Sequence, residues 1–321
     1  MGSLMSKDDF SVDGKTVLIT GGSRGTGREV GRQLAEKGAN IVIVARDHAK
    51  LEESIGADLV KPEESVRVIA ETTTWNNGSP PDIVWCCAGS SHPTLFLDTP
   101  ATTLRSEMDN NYWTSAYMAH AIMQAWLNPS SSAAESQSSL ASSQHTPTVA
   151  KKDTRHLIFT ASFLAFYTFT GYTSYSPTKA ALRSLSDSLS QEMNLYAATT
   201  PVRVHTVYPA SIFTESYVTE NLIKSDLTKK LEEGDAGQTA DQVARACIRG
   251  LEAGQEMVTT TLITRLVMCS VLGGTIRGGF WRGLVNWLIS CVMSFVMVFV
   301  RMDMDIKVRR WARELRRSKD Q

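Results

Sequence analysis

A glycine-rich turn between two apolar runs constrains the fold of this chain more than any other feature. Residues 15–46 read KTVLITGGSRGTGREVGRQLAEKGANIVIVAR, in which apolar residues at helical spacing follow the glycines. Short runs rich in β-branched residues indicate buried strands, and apolar residues three and four apart indicate a helix that packs on them. The stretch therefore predicts a strand–helix–strand unit whose two strands lie parallel.

Three later apolar runs alternate with three stretches of helical periodicity. The runs are 81–89, 155–162 and 202–210, and the helices lie near 104–127, 177–196 and 239–253. Strands that alternate with helices predict an α/β fold with a doubly wound parallel sheet, in which ligands bind beyond the carboxyl ends of the strands. A chain of 321 residues with 42% hydrophobic content is expected to form one such domain with appendages.

Two stretches interrupt this alternation. Residues 128–154 are rich in serine and almost free of large apolar side chains, which predicts a disordered surface insertion. Residues 283–300 carry no charge and would span about 27 Å as a helix, close to the hydrocarbon thickness of a bilayer. The predicted divisions are an N-terminal tail (1–11), the α/β domain (12–255), a hydrophobic membrane-associated region (256–300) and a basic tail (301–321).

The membrane topology is open at this stage. Basic residues flank the apolar segment at Arg277, Arg282 and Arg301, and the basic tail should stay on the cytosolic side. A single span would then place the α/β domain on the opposite side, so a re-entrant hairpin with 266–276 as its second limb is one solution. A core helix or a helix that pairs two copies in a homo-oligomer is the alternative.

Composition excludes several classes of function. With 33 basic and 33 acidic residues the formal net charge is zero, so no overall field recruits nucleic acid. The five cysteines show no Cys-x-x-Cys spacing and no zinc-like pairing with histidine, which favours a reducing compartment and no metal site. No signal peptide is expected at the N-terminus, where Gly2 lies in a possible myristoylation pattern.

The turn TGGSRGTG, at 20–27, is the predicted phosphate site. Glycines let backbone amides approach closely, and the N-terminus of the following helix favours a pyrophosphate. Its position between a strand and a helix is the context that a dinucleotide site requires. The residues expected to bind cofactor here are Gly21, Ser23, Arg24, Gly25 and Gly27.

The end of the second strand predicts which dinucleotide binds. An acidic residue there selects NAD through the ribose 2′-hydroxyl, whereas arginine accommodates the 2′-phosphate of NADP. This strand ends in Arg46, and Arg24 adds a second cation, so NADPH is favoured. The adjacent Asp47 keeps NAD open, and a solvated surface charge is the other interpretation of Arg46.

A second cluster of polar residues lies in the stretch GYTSYSPTK, just before a predicted helix. Pro177 suits the first turn of that helix, where its missing N–H costs nothing. Tyr175 and Lys179 then lie four residues apart on one face, whereas Tyr172 lies about two turns from the lysine. An ammonium beside a phenol lowers the phenol pKa, which makes Tyr175 a usable general acid toward a ketone.

Ser162 completes this arrangement. It ends the run 155–162, at the sheet edge where ligands bind, and its hydroxyl could hydrogen-bond the same substrate oxygen as Tyr175. Taken singly, these residues could be a strand-end serine, a buried aromatic residue and a surface lysine. All three together are much less expected by chance.

These motifs resemble the short-chain dehydrogenase/reductase family over roughly residues 12–255. The resemblance rests on Thr-Gly-x3-Gly-x-Gly at 20–27, on Ser162 and on Tyr175-x3-Lys179. It implies a Rossmann-type fold in which Tyr175 donates the proton, Lys179 lowers its pKa and binds the nicotinamide ribose, and Ser162 orients the carbonyl.

The family also implies an asparagine one helix earlier. The stretch MDNNYW offers Asn110 and Asn111, and an asparagine followed by an aromatic residue favours Asn111. Further cofactor contacts implied by the resemblance are Ala88 and Gly89 after the third apolar run, and Asp58 at the adenine.

A narrower resemblance lies within the family. The stretches WCCAGSSHPTLFLDT, YPASIFTES and GQTADQVA, together with the hydrophobic C-terminus, resemble the fungal branch of 3-ketodihydrosphingosine reductases. That branch implies reduction of the long-chain keto lipid 3-dehydrosphinganine to sphinganine with NADPH, at the cytosolic face of the endoplasmic reticulum membrane. Residues 211–234 are expected to cover the substrate.

Two alternatives stay open. One is a dehydrogenase of another membrane lipid, such as a steroid, a retinoid or a long-chain ketoacyl compound. The other is an NADP-binding membrane adaptor without turnover, because only twelve positions separate Arg46 from Asp58. So short a segment leaves little room for a helix and a strand, and the sheet could lack its edge strand.

Overall fold

A parallel sheet forms the centre of the protein. The computed structural model describes residues 10–46, 55–128, 153–273, 275 and 277–319. The strands are β1 (Thr16–Thr20), β2 (Asn40–Ala45), β3 (Ile55–Gly56), β4 (Ile83–Cys86), β5 (Arg155–Thr160), β6 (Val202–Tyr208), β7 (Ile212–Phe213), β8 (Gln238–Thr239) and β9 (Met257–Thr259). Seven of them form one parallel sheet in the order β3-β2-β1-β4-β5-β6-β9, and β7 pairs with β8 apart from it.

Helices cover both faces of the sheet. They are α1 (Gly25–Ala35), α2 (Pro62–Trp75), α3 (Ala101–Met108), α4 (Thr114–Leu127), α5 (Ser176–Glu192), α6 (Glu215–Ile223), α7 (Asp226–Leu231), α8 (Ala240–Glu252), α9 (Leu262–Ser270) and α10 (Phe280–Lys319). Apolar side chains of α2, α4 and α5 form the core on one face, and those of α1 and α8 form the core on the other. The predicted doubly wound α/β fold is confirmed.

Strand β1 explains why its sequence is a continuous apolar run. All five of its residues are buried, with Leu18 in the core under α2, α4 and α5, and Val17 and Ile19 in the core under α1 and α8. A strand covered on both faces must be apolar at every position rather than at alternate ones. The continuous apolar run in the first βαβ unit therefore indicates that β1 is a central strand of the sheet.

The edge of the sheet next to β2 retains a short third strand. Ile55 pairs with Val44 and Gly56 pairs with Ala45. The sheet therefore keeps the edge strand that the short segment 46–58 put in question. Residues 47–54 and most of the predicted insertion (129–152) lie outside the described residues, as does Gly2.

The α/β domain extends beyond residue 255. Strand β9 pairs with β6 and completes the sheet, so the predicted boundary falls before the last strand. Helix α9 includes residues 266–270 of the proposed hairpin limb at 266–276, and its residues Val267, Met268 and Cys269 are buried against the domain. Packing on the domain accounts for the apolar character of this part of the stretch, and the structure gives no support to its use as a second membrane limb.

One continuous helix, α10, joins the predicted apolar region to the predicted basic tail. Residues Phe280–Arg317 are long and apolar enough to cross a membrane, with a mean hydropathy of 2.1 in the most apolar window and 6% of that window buried. Ile289 and Met297 pack against the core next to α9, whereas Phe295 and Phe299 are exposed. The helix is therefore a candidate for membrane association that also contacts the domain along one face.

The start of α10 is tied to the sheet by Arg277. Its guanidinium lies 3.1 Å from Glu256 and 3.3 Å from Asp187, and its side chain is 7% exposed. It also donates to the carbonyl oxygen of Val204. Arg277 is therefore an internal ion-pair residue, in contrast to its interpretation as a basic membrane flank.

His156 on β5 and His205 on β6 form a buried pair, 2% and 1% exposed. The Nδ1 atom of His205 lies 2.9 Å from the carbonyl oxygen of Gln255, so this nitrogen carries the proton. Its Nε2 atom then accepts from Nδ1 of His156 at 3.0 Å. Burial and the neighbouring His156 hold the pKa of His205 well below its usual value.

We expect the free energy of unfolding to decrease as pH falls below about 6.5, because only the unfolded state then protonates His205. His205→Gln should flatten this pH dependence between about pH 7.5 and 5.5. Denaturant unfolding at each pH measures the effect. His120→Gln, which replaces an exposed histidine, is the control that should keep the wild-type slope. An unchanged slope in His205→Gln would contradict the assignment.

Candidate active site

A cavity of about 820 Å³ opens beyond the carboxyl ends of the central strands. Every residue predicted from the sequence to act in catalysis or cofactor binding lines it. These residues are Gly21, Ser23, Arg24, Gly25, Gly27, Arg46, Asp58, Ala88, Gly89, Asn111, Ser162, Tyr175 and Lys179. Residues Val300 and Met304 of α10 also line it, which the sequence analysis did not anticipate.

The glycine-rich turn leaves no space for side chains at two positions. A Cβ at Gly21 would lie 2.8 Å from the backbone of Ala88, and Gly21 has a φ of +68°. A Cβ at Gly27 would lie 2.5 Å from the carbonyl oxygen of Gly21. Helix α1 begins at Gly25, so its free first-turn amides point out of this turn. The turn therefore fits a bound pyrophosphate.

Three charged residues lie at the end of the cavity next to β2 and β3. Arg24 precedes α1, Arg46 follows β2, and Asp58 follows β3. All three are exposed at the cavity wall, and the two arginines give this end a positive character. The preference for a ribose that carries a phosphate, which the sequence pattern favoured, stays a prediction.

The loop after β4 connects the glycine turn to the catalytic residues. Thr20 Oγ1 accepts hydrogen bonds from the backbone N–H groups of Cys87 and Ala88, both at 3.2 Å. A Cβ at Gly89 would lie 2.6 Å from Oδ1 of Asn111 and 3.3 Å from Nζ of Lys179. Glycine at this position lets both side chains approach the loop.

Asn111 lies in a π-helical segment, Asp109–Trp113, between α3 and α4. Its side chain is fully buried, accepts from the Ser90 N–H at 3.1 Å, and donates to the carbonyl oxygens of Ser90 and Glu107. A π-bulge widens a helix by one residue and often marks a functional site. These bonds hold Asn111 toward the cavity, and they distinguish it from Asn110, which lines the wall without being fully buried.

Tyr175 and Lys179 occupy the start of α5, as predicted. Tyr175 immediately precedes the helix, and Pro177 lies in its first turn. The Lys179 Nζ lies 5.5 Å from the centre of the Tyr175 ring and donates to the carbonyl oxygen of Thr160 at 3.1 Å. Ser162, two residues past β5, hydrogen-bonds with the phenol of Tyr175.

The buried position of these groups sets their pKa values. Burial raises the pKa of Tyr175, and the hydrogen bond with Ser162 lowers it. Burial lowers the pKa of Lys179 to about 8, against the opposing effect of the Glu107 carboxylate. The Lys179 ammonium donates to the backbone at Thr160 on the same side of the cavity, and its effect on the pKa of Tyr175 stays a prediction.

Tyr172 bonds to Glu232 in the segment that covers the cavity. Its hydroxyl donates to this carboxylate, and burial and this hydrogen bond raise its pKa. The lysine near its ring is Lys224, whose Nζ lies 5.8 Å from the ring centre and 2.7 Å from Glu232. Tyr172 therefore holds the cover of the cavity, made by residues 211–238, against the residues before α5.

The buried Glu107 was not predicted. It is 3% exposed, its Oε1 accepts from Ser90 at 2.9 Å, and burial raises its pKa. Its Oε2 has no hydrogen-bond partner among the described residues. Glu107 lies four residues before Asn111, one turn away, and this spacing is the one sequence signal that could have paired them.

The fold and the site define the class of protein. The short chain dehydrogenase family model matches residues 15–151 and 136–222. The chain therefore belongs to the short-chain dehydrogenase family, whose members are oxidoreductases that use a nicotinamide cofactor.

Particular relatives are similar over most of the chain. A 3-ketodihydrosphingosine reductase of Aspergillus fumigatus is 43% identical over 290 residues, covering 81% of this chain and 75% of the relative. The 3-ketodihydrosphingosine reductase of Neurospora crassa is 40% identical over 288 residues, covering 84% of this chain and 75% of the relative. The predicted family is confirmed, and so is the predicted similarity to its fungal 3-ketodihydrosphingosine reductases.

Solved structures support the fold. A short chain dehydrogenase from Burkholderia cenocepacia, in complex with NADP, matches with a TM-score of 0.61 and 19% identity, over 83% of this chain and 96% of that one. The aldohexose dehydrogenase of Thermoplasma acidophilum, without ligand, matches with a TM-score of 0.59 and 15% identity, over 78% and 94%. At these identities the likeness concerns the fold alone.

We expect Tyr175→Phe to lower kcat for carbonyl reduction by roughly 10²- to 10⁴-fold, because it removes the general acid. Tyr172→Phe should largely preserve kcat, because Glu232 keeps its ion pair with Lys224. Oxidation of the nicotinamide cofactor, followed by absorbance, measures both rates. Equal losses in the two variants would contradict the assignment of the proton donor.

Proposed function

We propose that this protein reduces 3-ketodihydrosphingosine, also called 3-dehydrosphinganine, to sphinganine with NADPH. The observation that carries the proposal is the convergence of Ser162, Tyr175, Lys179 and Asn111 on one cavity with the glycine turn. The choice of substrate is supported by the two fungal relatives, which are 3-ketodihydrosphingosine reductases by name.

Each of the four converging residues has its own role in reduction of the ketone. Ser162 and Tyr175 hydrogen-bond the carbonyl oxygen, and the Tyr175 hydroxyl gives its proton to that oxygen as it gains negative charge. Lys179 provides a positive charge near the phenol, and its ammonium group would donate a hydrogen bond to the nicotinamide ribose. Asn111 holds the loop at Ser90 in place next to the lysine. The cofactor supplies the hydride when it is bound.

The phosphate-binding end supports NADPH over NADH. Arg24 and Arg46 are exposed on the wall beside the glycine turn, and we assign to them the contact with a 2′-phosphate. Asp58 lies beyond them and is proposed to contact the adenine. The first residue after β2 is Arg46, so this position holds no acidic residue that would bind a free 2′-hydroxyl.

A lipid substrate suits the position of α10. Val300 and Met304 line the cavity next to the exposed apolar part of the same helix, so an alkyl tail could pass from the cavity to a bilayer along it. We place the protein at the endoplasmic reticulum membrane with the α/β domain in the cytosol. This side supplies NADPH and suits cysteines that form no disulfide among the described residues.

The test is direct. Purified full-length protein in detergent is mixed with NADPH and 3-ketodihydrosphingosine, and absorbance of the reduced nicotinamide is followed. We expect oxidation of NADPH with formation of sphinganine. Turnover of a steroid or retinoid without turnover of this substrate would replace the proposal, and NADPH binding without any turnover would favour an adaptor.

We expect Arg46→Gln to raise KM for NADPH by about tenfold, because it removes one charged contact to the 2′-phosphate. KM for NADH should stay unchanged, since NADH lacks that phosphate. Arg28→Gln is the matched control, as Arg28 is an exposed arginine of α1 outside the cavity wall. Equal effects of Arg46→Gln on both cofactors would contradict this role for the arginine.

A further inference from the structure

The cover of the cavity carries an unusual charge. Residues 211–238 contribute four acidic side chains and no basic side chain to the cavity wall. The acidic residues are Glu220, Glu232, Glu233 and Asp235. Outside this cover, the charged residues of the wall are the cations Arg24, Arg46 and Lys179 and the single acid Asp58, so the acidic side chains are concentrated in the cover. This distribution favours a cationic ligand beside the cover.

Two of these carboxylates already have partners. Glu232 forms an ion pair with Lys224 at 2.7 Å and accepts a hydrogen bond from Tyr172. The Lys224 side chain is fully buried, and its Nζ lies 4.5 Å from the centre of the Tyr217 ring. Asp235 accepts hydrogen bonds from Ser211 and from the backbone of Gly237. The ion-pair partner of Lys224 is therefore Glu232.

Glu220 is different. It lies on α6, half-buried in the cavity wall, and its carboxylate has no hydrogen bond and no ion pair among the described residues. Its charge acts on Tyr175, whose pKa it raises. Burial raises the pKa of Glu220 to about 7; Lys224 opposes this rise, and Glu232 and Glu107 add to it. Glu220 therefore lines the same cavity as Tyr175 without an ion-pair partner among the described residues.

The chemistry of the proposed substrate supplies such a charge. A 3-keto sphingoid base carries an amino group on the carbon next to the ketone, and a simple amine is protonated at neutral pH. When the ketone oxygen lies at Tyr175, the ammonium group must lie within a few ångströms of it. We propose that Glu220 binds this ammonium group and thereby selects 2-amino ketones over plain long-chain ketones. This inference rests on the proposed function and assigns a specificity-determining residue to it.

The experiment compares two substrates and four proteins. The substrates are 3-ketodihydrosphingosine and the analogue in which hydrogen replaces the amino group. The proteins are the wild type, Glu220→Gln, Glu220→Asp and Glu215→Gln, where Glu215 is an exposed glutamate on the same helix outside the catalytic cavity. KM and kcat are measured for each pair, with NADPH affinity and the unfolding midpoint as checks on folding.

For the amino ketone, we expect Glu220→Gln to raise KM by about 10- to 100-fold, which is the range for loss of a charged hydrogen bond. KM for the deaminated ketone should be unchanged, and Glu215→Gln should resemble the wild type with both substrates. Glu220→Asp, which keeps the charge on a shorter side chain, should restore part of the affinity for the amino ketone only.

The outcomes separate this inference from the function on which it rests. If the wild type reduces the amino ketone and Glu220→Gln loses affinity equally for both substrates, or for neither, the role of Glu220 is overturned and the proposed function stands. If the wild type reduces only the deaminated ketone, the proposed function fails and the inference fails with it. A loss confined to the amino ketone supports both.

Discussion

The close contact between the ends of β1 and β4 is the constraint on which the site depends. Thr20 binds the backbone N–H groups of Cys87 and Ala88, and Gly21 lies so near Ala88 that a single methyl group would not fit. This contact joins the phosphate-binding turn to the loop that carries Gly89. That loop in turn touches Asn111 and Lys179. The two halves of the cavity are therefore held in register by the Thr20 hydroxyl and by backbone contacts, none of which involves the side chains proposed to do the chemistry.

Much of this arrangement could be predicted from the sequence because its signals are local. The glycine turn and the spacing of Tyr175 and Lys179 each lie within nine residues, and the apolar runs of the central strands follow from burial on both faces. Asn111 was favoured over Asn110 only through a family pattern, and the π-helical segment that buries it has no clear sequence signal. Short strands such as β3 and β9 have too few residues to show a period.

The residues that escaped prediction owe their roles to partners far away in the chain. Arg277 looks like a membrane flank until its ion pairs with Asp187 and Glu256 are seen. Lys224 and Glu232 look like ordinary charges of a surface segment, yet they form a buried pair with Tyr172. Charge type alone does not distinguish a solvated residue from a buried one. The distinction requires knowledge of which loop covers which strand end, and that is a property of the topology.

Helix α10 combines the composition of a membrane helix with a place in the cavity wall. Its exposed apolar residues suit a bilayer, while Val300 and Met304 form part of the wall of the catalytic cavity. This candidate membrane helix is therefore not separable from the catalytic domain. A shortened protein that ends before Val300 would lack part of the cavity wall as well as part of the candidate membrane helix. Activity lost in such a protein would report a cavity opened to solvent as much as a missing membrane, and the two effects should not be confused.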